Sequence, residues 1–211
     1  MVDMARSVCV DREGYVYVTG ESQGKGTSLD YTTIKYNSEG MSLWTKRYDG
    51  PAKDVDSPVD IVVDKRRDVI VTGTSQGESF DFATVRYHYT GDLAWVARYD
   101  GPGKGLDKAA AMAMDENGNV YVTGQSLGDG TAFDFATVKY SPSGDTLWVR
   151  RFDGQKNGGA DGANVIAVDK SGNVYVTGTS WGGPSYYDYL TVKYSPTGEE
   201  LWARRFSGQI K

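Results

Sequence analysis

Apolar and polar residues alternate along this chain in short runs, and the runs come in fours. In one segment "AAAMAMD" (109–115) is an apolar run closed by Asp115, followed by "ENG" and then "NVYVTG" (119–124). Apolar run, glycine turn and β-rich run together predict a hairpin. "DFATVKY" (134–140) alternates strictly, with Ala136, Val138 and Tyr140 on one face and Phe135, Thr137 and Lys139 on the other. "SPSG" follows as a turn, in which proline presets φ and Gly144 can take a positive value. "DTLWVRRF" (145–152) is the fourth strand of the segment. No run carries a helical period.

The same sentence is written four times. "DYTTIKYNSEGMSLW", "DFATVRYHYTGDLAW", "DFATVKYSPSGDTLW" and "DYLTVKYSPTGEELW" begin at Asp30, Asp81, Asp134 and Asp188. Each is preceded by a block ending "VTG", at Gly20, Gly73, Gly124 and Gly178. Four-stranded units at this period predict an all-β fold, a β-propeller of four four-stranded antiparallel blades. A lone blade exposes two apolar faces and needs neighbours to cover them. The expected organisation is a single domain over 1–211, with blades at about 1–50, 51–101, 102–154 and 155–211. The chain begins on an innermost strand and finishes on an outermost one, so no spare strand completes a blade. A closed four-bladed ring is the first expectation. Half of an eight-bladed homodimer and a piece of a longer array are the alternatives.

"GNVYVTG" followed by "DFATVKYSPSGDTLW" resembles the bacterial β-propeller repeat family labelled SBBP, over all four units. The second unit departs most, with Arg67-Asp68 in place of Gly-Asn and His88-Tyr89 in place of Ser-Pro. The resemblance implies a propeller, extracellular or at the cell surface, mostly without an assigned activity. "SPTGEELWARR" (195–205) is also similar to the tryptophan-docking motif of quinoprotein propellers. That likeness implies that Trp44, Trp95, Trp148 and Trp202 each pack on a neighbouring blade.

Composition narrows the function. The net charge is −5 with no basic stripe, which argues against nucleic acid as a partner. No apolar run is long enough to span a membrane as a helix. "MVDMARSVCV" is not a signal peptide, and the chain opens almost directly on a repeat, which suggests a segment of a longer polypeptide. Cys9 is the single cysteine and stands where the other units carry Val62, Ala113 and Ala167, so a buried thiol is expected. His88, the single histidine, falls on a turn, without a second histidine for zinc or a nucleophile motif.

The carboxylates form three recurrent sets. Asp11, Asp64, Asp115 and Asp169 close the first strand and are expected to bond their own turn amides. Asp30, Asp81, Asp134 and Asp188 open the third strand and are expected to bond loop N–H groups. Asp3, Asp56, Asp107 and Asp161 precede the innermost strands and would ring one mouth of a central channel. Each of the last set either bonds its linker amides or shares a Ca²⁺ or other cation; no other cofactor is expected. Trp181 and Tyr186 have no counterpart in the other units and share a loop face. They are candidates for a protein or glycan ligand, or for a blade or subunit contact. A non-enzymatic binding or scaffold module is therefore the leading expectation, and a self-assembling spacer the second. A carboxylate hydrolase or lyase needs a unique acid pair, and a quinoprotein-like enzyme needs cofactor ligands; the repeat supplies neither.

Overall fold

The computed structural model describes residues 2–24, 26, 28–154, 159–183 and 186–208. Every regular element among them is a strand. The first sheet holds β1 (Asp3–Val10), β2 (Val16–Gln23), β3 (Leu29–Tyr36) and β4 (Ser42–Tyr48). The second holds β5 (Asp56–Val63), β6 (Val69–Gln76), β7 (Phe80–Tyr87) and β8 (Leu93–Tyr99). The third holds β9 (Asp107–Met114), β10 (Val120–Leu127), β11 (Phe133–Tyr140) and β12 (Thr146–Phe152). The fourth holds β13 (Asp161–Val168), β14 (Val174–Trp181), β15 (Tyr187–Tyr194) and β16 (Glu200–Phe206). Strand order within each sheet follows chain order, and all pairings are antiparallel. These are the four blades expected. The second strand of each runs three residues beyond the "VTG" glycine, so Ser126 and Leu127 still pair with Asp134 and Phe133.

That glycine has a steric reason. The innermost strand bulges opposite it, for example between Ala163 and Val165. The bulge drives a carbonyl into the space where a Cβ would stand. A Cβ on Gly124 would run into the Lys108 carbonyl oxygen, and one on Gly178 into that of Gly162. A glycine inside a strand thus marks a close backbone approach. The turns obey the same economy. Gly14, Gly118 and Gly172 take φ near +80° in the first hairpin. In the second blade Arg67 takes the same place at φ 66° and closes the same turn, donating its N–H to the Asp64 carbonyl at 3.0 Å. The departure of "RRD" from Gly-Asn therefore changes the residue and keeps the turn.

The blades fall into two compact units, Met1–Tyr99 and Asp100–Lys211. Within the first unit β5 lies against β1, β2 and β3, and within the second β13 lies against β9, β10 and β11. The two faces of a blade differ, and the junctions use the difference. Tyr17 and Tyr31 of the first blade bury against Ile61, Val69, Val71, Ala83 and Val85 of the second. Tyr121, Phe135 and Trp148 of the third bury against Ile166, Val174, Val176, Leu190 and Val192 of the fourth. Aromatics of the earlier blade meet aliphatics of the later one. At about 1.5–3 kcal/mol per fully buried large apolar side chain, this seam is the main cohesive term of each unit.

The tryptophans lock the same seams. Trp44 Nε1 donates to the Tyr89 carbonyl at 3.1 Å, and Trp148 Nε1 to the Pro196 carbonyl at 3.1 Å. Lys35 and Lys139 donate their Nζ to the same two carbonyls. Each tryptophan of the earlier blade thus docks on a turn of the later one, as the motif implies.

Candidate functional site

The three carboxylate sets do three different things. In the first hairpin Asp11 Oδ1 accepts from the N–H groups of Glu13 (3.1 Å) and Tyr15 (2.9 Å), and Asp115 and Asp169 repeat the arrangement. The other oxygen takes a tyrosine hydroxyl: Tyr17, Tyr121 and Tyr175 donate to Asp11, Asp115 and Asp169. Burial opposes ionisation of Asp115, but hydrogen bonds from Asn119, Tyr121 and Asn117 outweigh it and hold the carboxyl below the usual range. For Asp169 the hydrogen bond from the Asn173 side chain leads in the same direction. In the second blade Ile70 stands where the tyrosine would be, and Arg86 donates to Asp64 and Asp68 instead. His88 Nδ1 lies 3.3 Å from Asp68 Oδ2, so this histidine belongs to a turn-bracing network.

The set that opens the third strand was expected to bond loop N–H groups. Its partner is instead an arginine on the outermost strand. Arg47 reaches Asp30 at 3.0 Å, Arg98 reaches Asp81 at 2.7 Å, Arg151 reaches Asp134 at 2.6 Å and Arg205 reaches Asp188 at 3.0 Å. Each guanidinium also binds a serine on the second strand: Ser22, Ser75, Ser126 or Ser180. The clamp ties the second, third and fourth strands of one blade at one end. It is charge-assisted and multidentate, the geometry arginine favours.

The innermost set is divided. Asp56, Asp107 and Asp161 are buried, and each accepts a linker glycine N–H on Oδ2: Gly50 at 2.6 Å, Gly101 at 2.6 Å and Gly154 at 2.7 Å. Asp3 is exposed. Burial raises the Asp56 carboxyl; the nearby Ser75 and the Gly50 N–H oppose this, and the charges of Asp30 and Asp49 add to it. Asp49 enters here as a residue that sequence reading missed. It sits in the "YDG" linker after β4, and a carboxylate oxygen from each of Asp30, Asp49 and Asp56 lies within 4.8 Å of the others. Asp134, Asp153 and Asp161 repeat the trio in the second unit.

Trp181, expected on a loop, is instead the last residue of β14 and pairs with Tyr187, while Tyr186 immediately precedes β15. Trp181 stands edge-on to Tyr187, 5.4 Å between centroids at 78°, and its backbone N–H bonds the Ala160 carbonyl and Asp161. Tyr186 is 65% exposed and not stacked on Trp181; the exposed neighbour that is stacked, Tyr187, has counterparts in the other units. On the same blade Tyr189 and Phe206 pack on each other at 6.0 Å and are 67% and 65% exposed. Their counterparts in the first blade, Tyr31 and Tyr48, stack at 5.3 Å inside the seam. Cys9 packs beside the same seam. Burial, with the Asp60 and Asp11 charges, pushes its thiol up to about 12, which disfavours the thiolate at neutral pH.

A family model described as a beta-propeller repeat, SBBP, matches residues 94–130 and 157–184. Among solved structures, the chain is similar to a candidate gluconolactonase at 16% identity and a TM-score of 0.50, covering 97% of this chain and 64% of that one. It is also similar to a protein of unknown function from Bacteroides caccae (11% identity, 97% and 82% covered, TM-score 0.46). An endo-arabinase from Bacteroides thetaiotaomicron follows (12% identity, 95% and 81% covered, TM-score 0.47). No curated protein matches the chain. At such identities the likeness speaks for the fold alone.

Proposed function

We propose that this chain, which carries SBBP β-propeller repeats, is a non-catalytic binding scaffold of a secreted or surface protein, and that its free blade faces hold a second copy of itself. One observation carries the reading. Tyr189 and Phe206 of the last blade hold the places that bury aromatics at the first seam, yet they stand 67% and 65% exposed. The first blade presents the matching half. Val8 is 61% exposed where its counterpart Ile61 is 3% exposed, and Met4, Val18, Ile34 and Tyr36 line a hollow of about 290 Å³. Aromatic face and aliphatic face are the two sides of every seam within a unit. A second copy supplies the missing side of each by a contact the chain already makes. Trp202 then docks on the turn at Ser38 of the second copy, as Trp44 docks on Tyr89.

The test is mass in solution. Light scattering behind size exclusion is expected to give twice the 23.0 kDa chain mass. Phe206→Glu and Val8→Glu, both at exposed positions, are each expected to give the single-chain mass with unchanged far-UV circular dichroism. A wild-type protein that stays at single-chain mass at high concentration, or a Phe206→Glu variant that still pairs, overturns the reading.

A second reading has its own observation. Tyr186 and Tyr187 are 65% and 58% exposed at the end of the blade that carries Trp181, and Trp181 and Tyr186 have no aromatic counterpart in the other blades. Such exposed aromatics suit a sugar ring or a peptide. Glycan and peptide arrays probed with the wild type and with Tyr186→Ala test it, and no signal from either protein removes it.

A further inference from the structure

We propose that the aspartate trios at the blade seams are calcium sites, one at Asp30, Asp49 and Asp56 and one at Asp134, Asp153 and Asp161. The three members come from different places in the chain. Asp30 is the second residue of β3, Asp49 lies in the linker, and Asp56 is the first residue of β5 in the next blade. Their oxygens nevertheless converge to within 4.8 Å, and so do those of the second trio. Two members of each trio are withdrawn from water: Asp30 and Asp56 are 0% exposed, and Asp134 and Asp161 are 5% and 2% exposed.

In each trio one carboxylate oxygen is buried without a donor. Asp56 Oδ2 takes the Gly50 N–H, but its Oδ1 is buried with no hydrogen-bond partner. In the second trio Asp134 Oδ2 takes Arg151, and its Oδ1 is likewise buried with no partner. A buried anionic oxygen without a donor is costly, so each such atom marks a place where a cation would be held. The linker glycine keeps that place open. A Cβ on Gly50 would stand 2.6 Å from Asp56 Oδ1, and one on Gly154 would stand 3.0 Å from Asp161 Oδ1.

The donors select the ion. All are carboxylate oxygens, with no imidazole or thiolate among them, which disfavours zinc and copper. Three carboxylates drawn from two strands and a linker suit Ca²⁺, which accepts six to eight oxygens in flexible geometry, better than octahedral Mg²⁺. An ion here would bridge the third strand of one blade to the first strand of the next. That location is the seam between blades. The sequence repeats the pattern at Asp81, Asp100 and Asp107, and it breaks in the last unit, where Ser207 replaces the linker aspartate beside Asp188.

The break designs the control. Asp49→Ser and Asp153→Ser install in the trios the residue that the last unit carries naturally. The full chain, stripped with a chelator, is titrated with CaCl₂ and with MgCl₂ while its melting temperature is followed. Tb³⁺ emission sensitised by the tyrosines and tryptophans reports binding directly. We expect Ca²⁺ to raise the melting temperature saturably, Mg²⁺ to do so at least tenfold less effectively, and Ca²⁺ to quench the Tb³⁺ signal. The doubly substituted chain, checked for folding by circular dichroism, is expected to bind at least two fewer ions. Absence of both a thermal shift and Tb³⁺ emission in the wild type overturns the proposal. So does an unchanged ion count in the variant, or an equal response to Mg²⁺. None of these readouts depends on pairing of chains, so the site and the assembly fail separately.

Discussion

Removing Arg151 is the sharpest probe of what holds a blade together. Its guanidinium donates to Asp134 Oδ2 at 2.6 Å, to the Ser126 carbonyl at 2.9 Å and to Ser126 Oγ. The two side chains are 21% and 8% exposed, so the pair is largely shielded from solvent. Breaking a buried pair by deleting one partner costs about 3–5 kcal/mol, because the other charge is left uncompensated. The partial exposure of the arginine puts Arg151→Met near the lower end, about 3 kcal/mol. Asp134→Asn removes the charge but leaves the arginine its serine partners, at about 1–2 kcal/mol. Arg151→Met with Asp134→Asn no longer strands a carboxylate, so the double variant is expected to be about 2 kcal/mol more stable than the sum of the singles. Urea melts in chelator, followed by tryptophan fluorescence, measure all three. In a chain of this length about 3 kcal/mol corresponds to roughly 6–12 °C in melting temperature. A cost below about 1 kcal/mol for Arg151→Met, or strict additivity in the cycle, would refute the clamp as a charge-compensating device.

Three further outcomes follow from the same geometry. Gly124→Ala drives a Cβ into the Lys108 carbonyl and is expected to cost about 1–3 kcal/mol by urea melt, as overpacking against backbone does. The Cys9 thiol is raised to about 12 against an unfolded value near 8.5, so alkylation at pH 8 should be at least tenfold slower than in urea; its contribution to stability, full below about pH 8.5, fades as pH rises towards 12. Asp115 and Asp169 are depressed, so their stabilisation is present above about pH 4 and lost as pH falls below it, and Asp115→Asn should flatten the acid limb of a melting-temperature profile.

Much of the fold is written in period and alternation. Ala136, Val138 and Tyr140 share a face, and Gly144 at φ 92° closes the turn that "SPSG" announces. The hairpin aspartates are equally legible, because an Asx bond spans only two to four residues. The clamp was not, although its trace is present: aspartate and arginine stand 17 residues apart in all four blades. Only the register of the fourth strand on the third shows that this spacing is contact. The trios were half legible. Asp56 and Asp161 were marked, but Asp49 and Asp153 looked like ordinary linker polar residues until the seam brought them beside a neighbouring blade.

Among the described residues each aspartate–arginine clamp closes inside its own blade, although Arg98 also donates to the Tyr48 hydroxyl of the first blade. A crossover in the gene that dropped or duplicated one whole unit would leave each remaining clamp intact. The length of such an array is therefore free to drift between related genomes faster than the residues within a unit.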